Sequence, residues 1–196
     1  MPLWRKEGTP VLITVLLADG FEEIEALTPP DLLRRAGFDV RTVGIGGKIV
    51  VGAHKIPVIC DMTADEVDPS RVSMVILPGG MPGAENLDAS PFVGRLLDSV
   101  LSRGGRAAAI CAAPLVLGRR GYLRGKRAGC YPGFEGELTG AVPCDLPVVT
   151  DGNITTAKGM GVALAFAEEL VALLAGKEKA RELSRAVMEV TPWTGM

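Results

Sequence analysis

Four mostly apolar runs of strand length constrain this chain more than any other feature. They cover residues 11–17, 38–43, 72–77 and 107–110. Runs that are apolar on both faces are typical of parallel strands that helices cover on each side of a sheet. Segments with helical spacing lie between the runs, so the sequence predicts an α/β fold with a doubly wound, mostly parallel sheet.

The helical segments are predicted over residues 22–36, 90–103, 161–174 and 177–188. Ser90 and Pro91 form a typical helix start, and Pro29-Pro30 predicts a kink in the first helix. After Gly46-Gly47, residues 48–60 predict a β-hairpin or an edge excursion. These elements favour a single domain over residues 11–190, with a flexible N-terminus at 1–10 and a flexible tail at 191–196.

The composition excludes several classes of function. The 196 residues are 47% hydrophobic, which is enough for one sizeable core. Lys and Arg number 21 against 23 Asp and Glu, so there is no basic surplus and we expect no nucleic-acid partner. No apolar stretch reaches the roughly 18 to 20 residues that span a bilayer, and no secretory signal is recognisable. We therefore expect a cytoplasmic protein with no membrane partner.

The cysteine and histidine content argues against disulfides and metals. The four cysteines lie far apart without a CxxC pair, which favours free thiols. His54 is the only histidine and leaves zinc without a plausible ligand set. We expect no cofactor and no metal.

Cys111 stands where the buried run 107–110 ends and a helix begins near Pro114. This arrangement is typical of a nucleophile elbow at the carboxyl edge of a sheet, where α/β proteins bind ligands. A helix N-terminus favours a thiolate, so we expect Cys111 to be the most acidic and most oxidisable of the four thiols. The alternative is a buried cysteine that only packs.

Two further strand ends belong to the same edge. Gly79 and Gly80 follow the run 72–77, and glycines there let backbone amides approach an anion, although a plain loop is the alternative. Glu22 and Glu23 suit a solvated first helical turn. Glu25 lies at the margin of the apolar face and is predicted to point inward.

Four ordered segments carry a family resemblance: ADGFEEIEALTPPDLLRRAGFDV, LPGGMPGAENL, AAAICAAPLVL and TAKGMGVALAFAEELVALLAGKEKA. In this order and spacing the chain resembles the ThiJ/PfpI (DJ-1/PfpI) superfamily, closest to the branch of the Parkinsonism-associated deglycase and its bacterial homologues. The resemblance covers residues 11 to about 188. It implies a flavodoxin-like or class I glutamine amidotransferase-like fold with a nucleophile elbow.

The resemblance also implies roles for individual residues. Cys111 corresponds to the family's elbow cysteine and Glu25 to the glutamate that hydrogen-bonds its sulfur. The remaining pocket positions are backbone amides at Gly80 and Ala112, with Gly79 and Tyr131 as further pocket residues. Tyr131 stands where several relatives have a histidine. The hairpin near Cys60 resembles the segment that packs across a homodimer interface.

These features favour a cofactor-independent cysteine enzyme acting on 2-oxoaldehydes or their adducts, of the glyoxalase or deglycase type. The alternative is a thiol redox sensor or holdase chaperone without a committed substrate. A cysteine peptidase or amidase is disfavoured because Ala112 occupies the position at which the peptidase-like branch typically has histidine, and no base is evident. The expected partners are small carbonyl compounds and a second copy of the chain.

Overall fold

A computed structural model describes residues 12–188, so the segments 1–11 and 189–196, with the predicted flexible ends, lie outside the described residues. The strands are β1 Leu12–Leu17, β2 Asp39–Gly44, β3 Ile49–Val51, β4 Pro57–Ile59, β5 Met62–Thr63, β6 Val72–Leu77, β7 Arg106–Ile110, β8 Arg127–Ala128, β9 Val142–Pro143, β10 Val148–Asp151 and β11 Ile154–Ala157. The α-helices are α1 Glu23–Arg35, α2 Gly83–Ala89, α3 Pro91–Ser102, α4 Pro114–Arg119, α5 Ala163–Ala175 and α6 Lys177–Ala186.

Seven strands form the central sheet, in the order β10-β11-β7-β6-β1-β2-β5. All neighbouring pairs are parallel except β10 with β11. One hydrophobic core packs α2, α3 and α4 on one face, and a second packs α1, α5 and α6 on the other. The predicted doubly wound α/β sheet is therefore confirmed.

Helix α1 is continuous through the two prolines at which the sequence predicts a kink. It runs as one helix from Glu23 to Arg35 with Pro29 and Pro30 inside it, both buried. Glu22 caps its N-terminus, since its side chain accepts a hydrogen bond from the Glu25 backbone N–H at 2.8 Å. The cap fixes the first turn, which carries Glu25.

Strands β10 and β11 were absent from the sequence interpretation. Both are short and rich in threonine, so they lack the continuous apolar run that marks the central strands. A two-residue Gly152-Asn153 turn joins them, with Gly152 at φ +62°, and glycine at the first position of such a turn is a recognised hairpin signal. Strand β11 pairs with β7, so the end of β11 lies beside the end of β7, at the edge where Cys111 lies.

The predicted hairpin is present as β3 and β4, which pair with each other outside the main sheet. Several of its apolar side chains face outward, and Ile59 is 75% exposed. Among residues 12–188, no helix combines the length and apolar character needed to cross a membrane.

Helix α5 offers a matched test of the core. Leu170 is fully buried, whereas Leu164 on the same helix is 43% exposed. Leu170→Ala should lower the free energy of unfolding by about 2–5 kcal/mol, because it removes buried methyl groups and leaves a cavity. Leu164→Ala should lower it by less than about 1 kcal/mol. Equal losses in urea unfolding would contradict the core assignment.

Candidate active site

Cys111 occupies a strained turn between β7 and α4. Its φ is +65°, which is uncommon for a residue with a side chain. Its backbone is held on both sides, since its N–H donates to the Ala157 carbonyl at 2.9 Å and its carbonyl accepts from the Tyr131 N–H at 2.8 Å. Helix α4 begins three residues later, at Pro114. The side chain is thereby fixed at the carboxyl edge of the sheet, as a nucleophile elbow requires.

Glu25 reaches this edge from the first turn of α1 and is fully buried. One carboxyl oxygen, Oε2, accepts a hydrogen bond from the Gly79 backbone N–H at 2.9 Å. The other, Oε1, is buried without a hydrogen bond of ordinary geometry. The carboxyl group and the Cys111 thiol contact each other as hydrogen-bonding partners. The inward direction predicted for Glu25 therefore matches its placement.

The loop after β6 closes the pocket so tightly that a side chain at Gly79 or Gly80 would displace its neighbours. A Cβ at Gly79 would lie 2.6 Å from the Cys111 Cβ and 2.7 Å from Glu25 Oε2. Gly80 has φ +84°, and a Cβ there would lie 2.4 Å from the Glu22 backbone nitrogen. The backbone N–H groups of Gly80 and Ala112 both donate to the Cys111 sulfur. Two amides thus converge on the sulfur, as an anion pocket requires.

Tyr131 and Gly159 form the outer wall of the same pocket. A Cβ placed on Gly159 would lie 3.3 Å from the Tyr131 ring, 3.8 Å from Glu25 Oε1 and 3.9 Å from the Cys111 sulfur. The three side chains therefore surround one point. Tyr131 is half exposed, so it lies at the mouth and not in the interior.

Burial is the main influence on Glu25. It raises the pKa of the carboxyl group to about 7, and the nearby Glu22 carboxylate adds to the rise. Hydrogen bonds from Cys111, Gly79 and Met160 oppose it. A group with this pKa can both donate and accept a proton near neutral pH, which is the range that acid–base catalysis needs.

The expectation that Cys111 is the most acidic thiol fails while Glu25 is ionised. Burial, followed by the charge and hydrogen bond of the Glu25 carboxylate, raises the pKa of Cys111 to about 12, against about 11 for Cys60 and Cys130. The amides of Gly80 and Ala112 act in the opposite direction. Thiol and carboxyl group therefore titrate as a pair that shares one proton, and not as independent groups.

The first helical turn also differs from expectation. Glu23 is buried and not solvated, and its oxygens accept from His54, Oε1 from the backbone N–H at 2.7 Å and Oε2 from the ring Nδ1 at 2.8 Å. Ile24 and Leu27, the apolar residues on either side of Glu25 in the sequence, are exposed and do not cover it. Glu22, Glu23 and His54 are the only close grouping of three possible metal ligands within 12–188. Because Glu23 is already bonded to His54, the grouping is explained without a metal.

The comparisons with known proteins agree with this geometry. Residues 11–173 match the DJ-1/PfpI family. The chain belongs to the DJ-1/PfpI family. It is 39% identical over 177 residues to protein dj-1beta of Drosophila melanogaster, covering 89% of this chain and 95% of that protein.

Two further comparisons place the chain within this DJ-1/PfpI group. It is 32% identical over 173 residues to a glutathione-independent glyoxalase of Caenorhabditis elegans, covering 87% of this chain and 92% of that protein. A crystal structure of a cysteine-to-alanine mutant of a DJ-1 superfamily protein from Salmonella typhimurium superposes with a TM-score of 0.88 at 36% identity. That match covers 93% of this chain and all of the other.

Sequence reasoning missed Gly159 and Met160 as members of the site. Both follow β11, which was not recognised as a strand, so the segment was not placed at the sheet edge. The signal was available, because Gly159-Met160-Gly161 is a glycine-rich stretch directly after a β-forming run.

Gly79 provides a test of the pocket's tight packing. In Gly79→Ala the new methyl group must displace Cys111 or Glu25, because it would lie within 2.7 Å of both. We expect the rate at which iodoacetamide alkylates Cys111 to change by about 10-fold or more. Gly136→Ala is the matched control, since a Cβ at that glycine has no neighbour within 4 Å. Indistinguishable alkylation rates in the two variants would refute this packing.

The raised pKa of Glu25 predicts a pH dependence of stability. The folded state retains the proton up to about pH 7, whereas the unfolded carboxyl group releases it near 4.5. The stabilisation is thus complete below pH 4.5 and is lost as pH rises through 7, by up to about 3 kcal/mol. Glu25→Gln should remove this loss in urea unfolding between pH 4.5 and 8, whereas the exposed Glu182→Gln should retain it. Parallel profiles for wild type and Glu25→Gln would count against a raised pKa.

Proposed function

We propose that this protein is a cofactor-independent cysteine enzyme that converts 2-oxoaldehydes, or their adducts, to 2-hydroxy acids. The observation that carries the proposal is the buried contact between Glu25 and Cys111, with two backbone amides directed at the sulfur. A nucleophile and a proton carrier lie side by side there. The reaction from methylglyoxal to lactate needs these two groups and a water molecule.

The first step is addition of the Cys111 sulfur to the aldehyde carbon. A C–S bond forms, and the proton shared by the pair passes to the aldehyde oxygen, which gives a hemithioacetal. The Gly80 and Ala112 amides, which contact the sulfur in the resting protein, are suitably placed to stabilise the developing negative charge on that oxygen. Glu25 is left as a carboxylate.

The second step is an isomerisation. The Glu25 carboxylate removes the proton from the former aldehyde carbon and returns it to the neighbouring carbonyl carbon. The hydroxyl proton of the hemithioacetal passes to the oxygen of that neighbouring carbon, so that the hemithioacetal becomes a 2-hydroxy thioester. Water then cleaves the thioester, which releases the 2-hydroxy acid and restores the thiol. One carbon is oxidised and its neighbour reduced, so the sequence balances without an external redox partner.

The position of the histidine supports this chemistry over peptide hydrolysis. His54 uses its Nδ1 to bond Glu23 and does not serve as a base for Cys111. At the pocket itself, Tyr131 lies beside the pair and Glu25 is the adjacent proton carrier. The Caenorhabditis elegans relative is named a glutathione-independent glyoxalase, which supports the same substrate class.

A thiol redox sensor or holdase chaperone is the second candidate. The half-buried thiol of Cys111, which two amides contact, favours it, because an accessible sulfur in such a place can be oxidised in steps. A sensor would use the same cysteine but would need no proton transfer between carbons. The dependence on Glu25 therefore separates the two functions.

Turnover of methylglyoxal tests the proposal. Wild-type protein should release lactate, and Cys111→Ser should release none above the buffer rate. Glu25→Gln keeps a hydrogen-bond donor beside the sulfur but cannot accept a proton, so turnover should fall by roughly 10²-fold or more. Glu182→Gln, on the exposed face of α6, serves as the control and should keep the wild-type rate. Wild-type turnover by Glu25→Gln would disprove the isomerisation mechanism, and no turnover by any form would favour the sensor.

The proposal includes a homodimer that covers the β3–β4 hairpin. Ile49, Ile56 and Ile59 are 65%, 53% and 75% exposed on this hairpin, and Ile24 and Leu27 are exposed on α1. Apolar side chains on an exposed edge hairpin are normally covered in folded proteins. The family resemblance supplies the second copy as the partner.

Sedimentation of a charged variant tests the dimer. Ile59→Asp places a carboxylate on the hairpin and should convert the dimer to a monomer at micromolar concentration, because an unpaired charge is costly to bury. Val142→Asp alters an exposed apolar residue on β9 and should leave the dimer intact. A wild-type monomer at this concentration, or dissociation by both variants, would rule out the proposed interface.

A further inference from the structure

His54, the only histidine of the chain, hydrogen-bonds both oxygens of the buried Glu23 carboxylate. The Glu23 side chain is 7% exposed, and its two oxygens accept the His54 backbone N–H at 2.7 Å and ring Nδ1 at 2.8 Å. The surroundings are tight, because a Cβ at Gly52 would lie 2.2 Å from Glu23 Oε1. Glu23 is therefore fixed by the hairpin and cannot turn without losing both bonds.

Residues 51–54 of the same hairpin are hydrogen-bonded to the turn that precedes α1. The Gly20 N–H donates to the Val51 carbonyl at 2.8 Å, and the Ala53 N–H donates to the Phe21 carbonyl at 2.7 Å. The Val51 N–H donates to Asp19 Oδ1 at 2.8 Å. Bonds at Glu23 and before it thus join residues 51–54 to residues 19–23, and the bonds from His54 are the farthest along the chain towards Glu25.

The turn at residues 19–23 also contacts the pocket around Cys111, on the side away from the hairpin. The Glu22 N–H donates to the Gly79 carbonyl at 2.9 Å, and the Gly79 N–H donates to Glu25 Oε2 at 2.9 Å. Glu23 precedes Glu25 by two residues within one helical turn. A shift of Glu23 would move Glu25 relative to the Cys111 sulfur, because the turn is one rigid unit.

We propose that His54 is a positioning residue, which holds Glu25 at its working distance from Cys111 by binding the buried Glu23 carboxylate through the Nδ1–H. The role in turnover rests on the proposed function. The effect on the Glu25–Cys111 pair does not, because that pair determines thiol reactivity whether or not the protein has a substrate.

The bond does not depend on a charged ring. The groups that face His54 are Glu23 and Glu22 at the start of α1, and the hydrogen bond and charge of Glu23 raise the pKa of the imidazole. The neutral ring with its proton on Nδ1 still donates to Glu23. The proposal therefore predicts a requirement for a donor at position 54, which an uncharged side chain can meet.

Two substitutions at position 54 separate the effect of the hydrogen-bond donor from the effect of the ring's shape. His54→Phe keeps a ring and removes the donor, whereas His54→Asn keeps an N–H that can reach Glu23. Lys55→Asn is the control on the same hairpin, since Lys55 has φ +68°, a region that asparagine tolerates. For each variant, the pH profile of Cys111 alkylation is measured, together with lactate formation from methylglyoxal per alkylatable Cys111. Thermal unfolding and sedimentation identify variants that do not fold or assemble.

We expect His54→Phe to shift the midpoint of the alkylation profile by about one pH unit and to lower turnover per thiol by about 10-fold, with KM little changed. His54→Asn and Lys55→Asn should behave as wild type. A folded His54→Phe with the wild-type profile and turnover would overturn the proposal, as would a His54→Asn as impaired as His54→Phe. If no form makes lactate but the profile shifts as described, the proposed function fails and the positioning role stands.

Discussion

The structure depends on burying a carboxyl group and a thiol in contact with each other. Two negative charges cannot be accommodated there at once, so the pair retains one proton that either group can hold. Burial raises the pKa values of both Glu25 and Cys111, and the backbone amides of Gly79, Gly80 and Ala112 limit the rise. A proton therefore moves readily between Glu25 and Cys111, whereas removing the last proton from the pair costs free energy.

The contact between Glu25 and Cys111 explains why the residues around it can adopt so few conformations and side chains. Cys111 adopts a positive φ because the elbow must direct its side chain back over the sheet edge, and two backbone hydrogen bonds hold it there. Gly79 has no room for a methyl group between Cys111 and Glu25. The strained backbone at Cys111 and the lack of a side chain at Gly79 each lower the stability of the fold. The two hydrophobic cores, one on each face of the sheet, must offset that loss.

The central strands could be predicted because residues buried on both faces must be apolar along their whole length. Cys111 and Glu25 could be placed because parallel strands end at one edge. Strands β10 and β11 were missed because their threonines carry no continuous apolar run. The burial of Glu23 was also missed, because its partner His54 lies 31 residues away. Nor could the pKa of Cys111 be judged, since desolvation depends on packing and outweighs proximity to a six-residue helix.

The tyrosine at position 131 raises the question of whether the site lacks an acid–base group. An imidazole is useful because its pKa lies near neutrality, and burial gives Glu25 the same property by raising its pKa to about 7. Glu25 also lies nearer the Cys111 sulfur than a residue at the mouth could, since it contacts the sulfur directly. A histidine at position 131 would add a second proton carrier at the half-exposed rim. A tyrosine at this position therefore leaves intact the proton transfer that we propose for the buried carboxyl group.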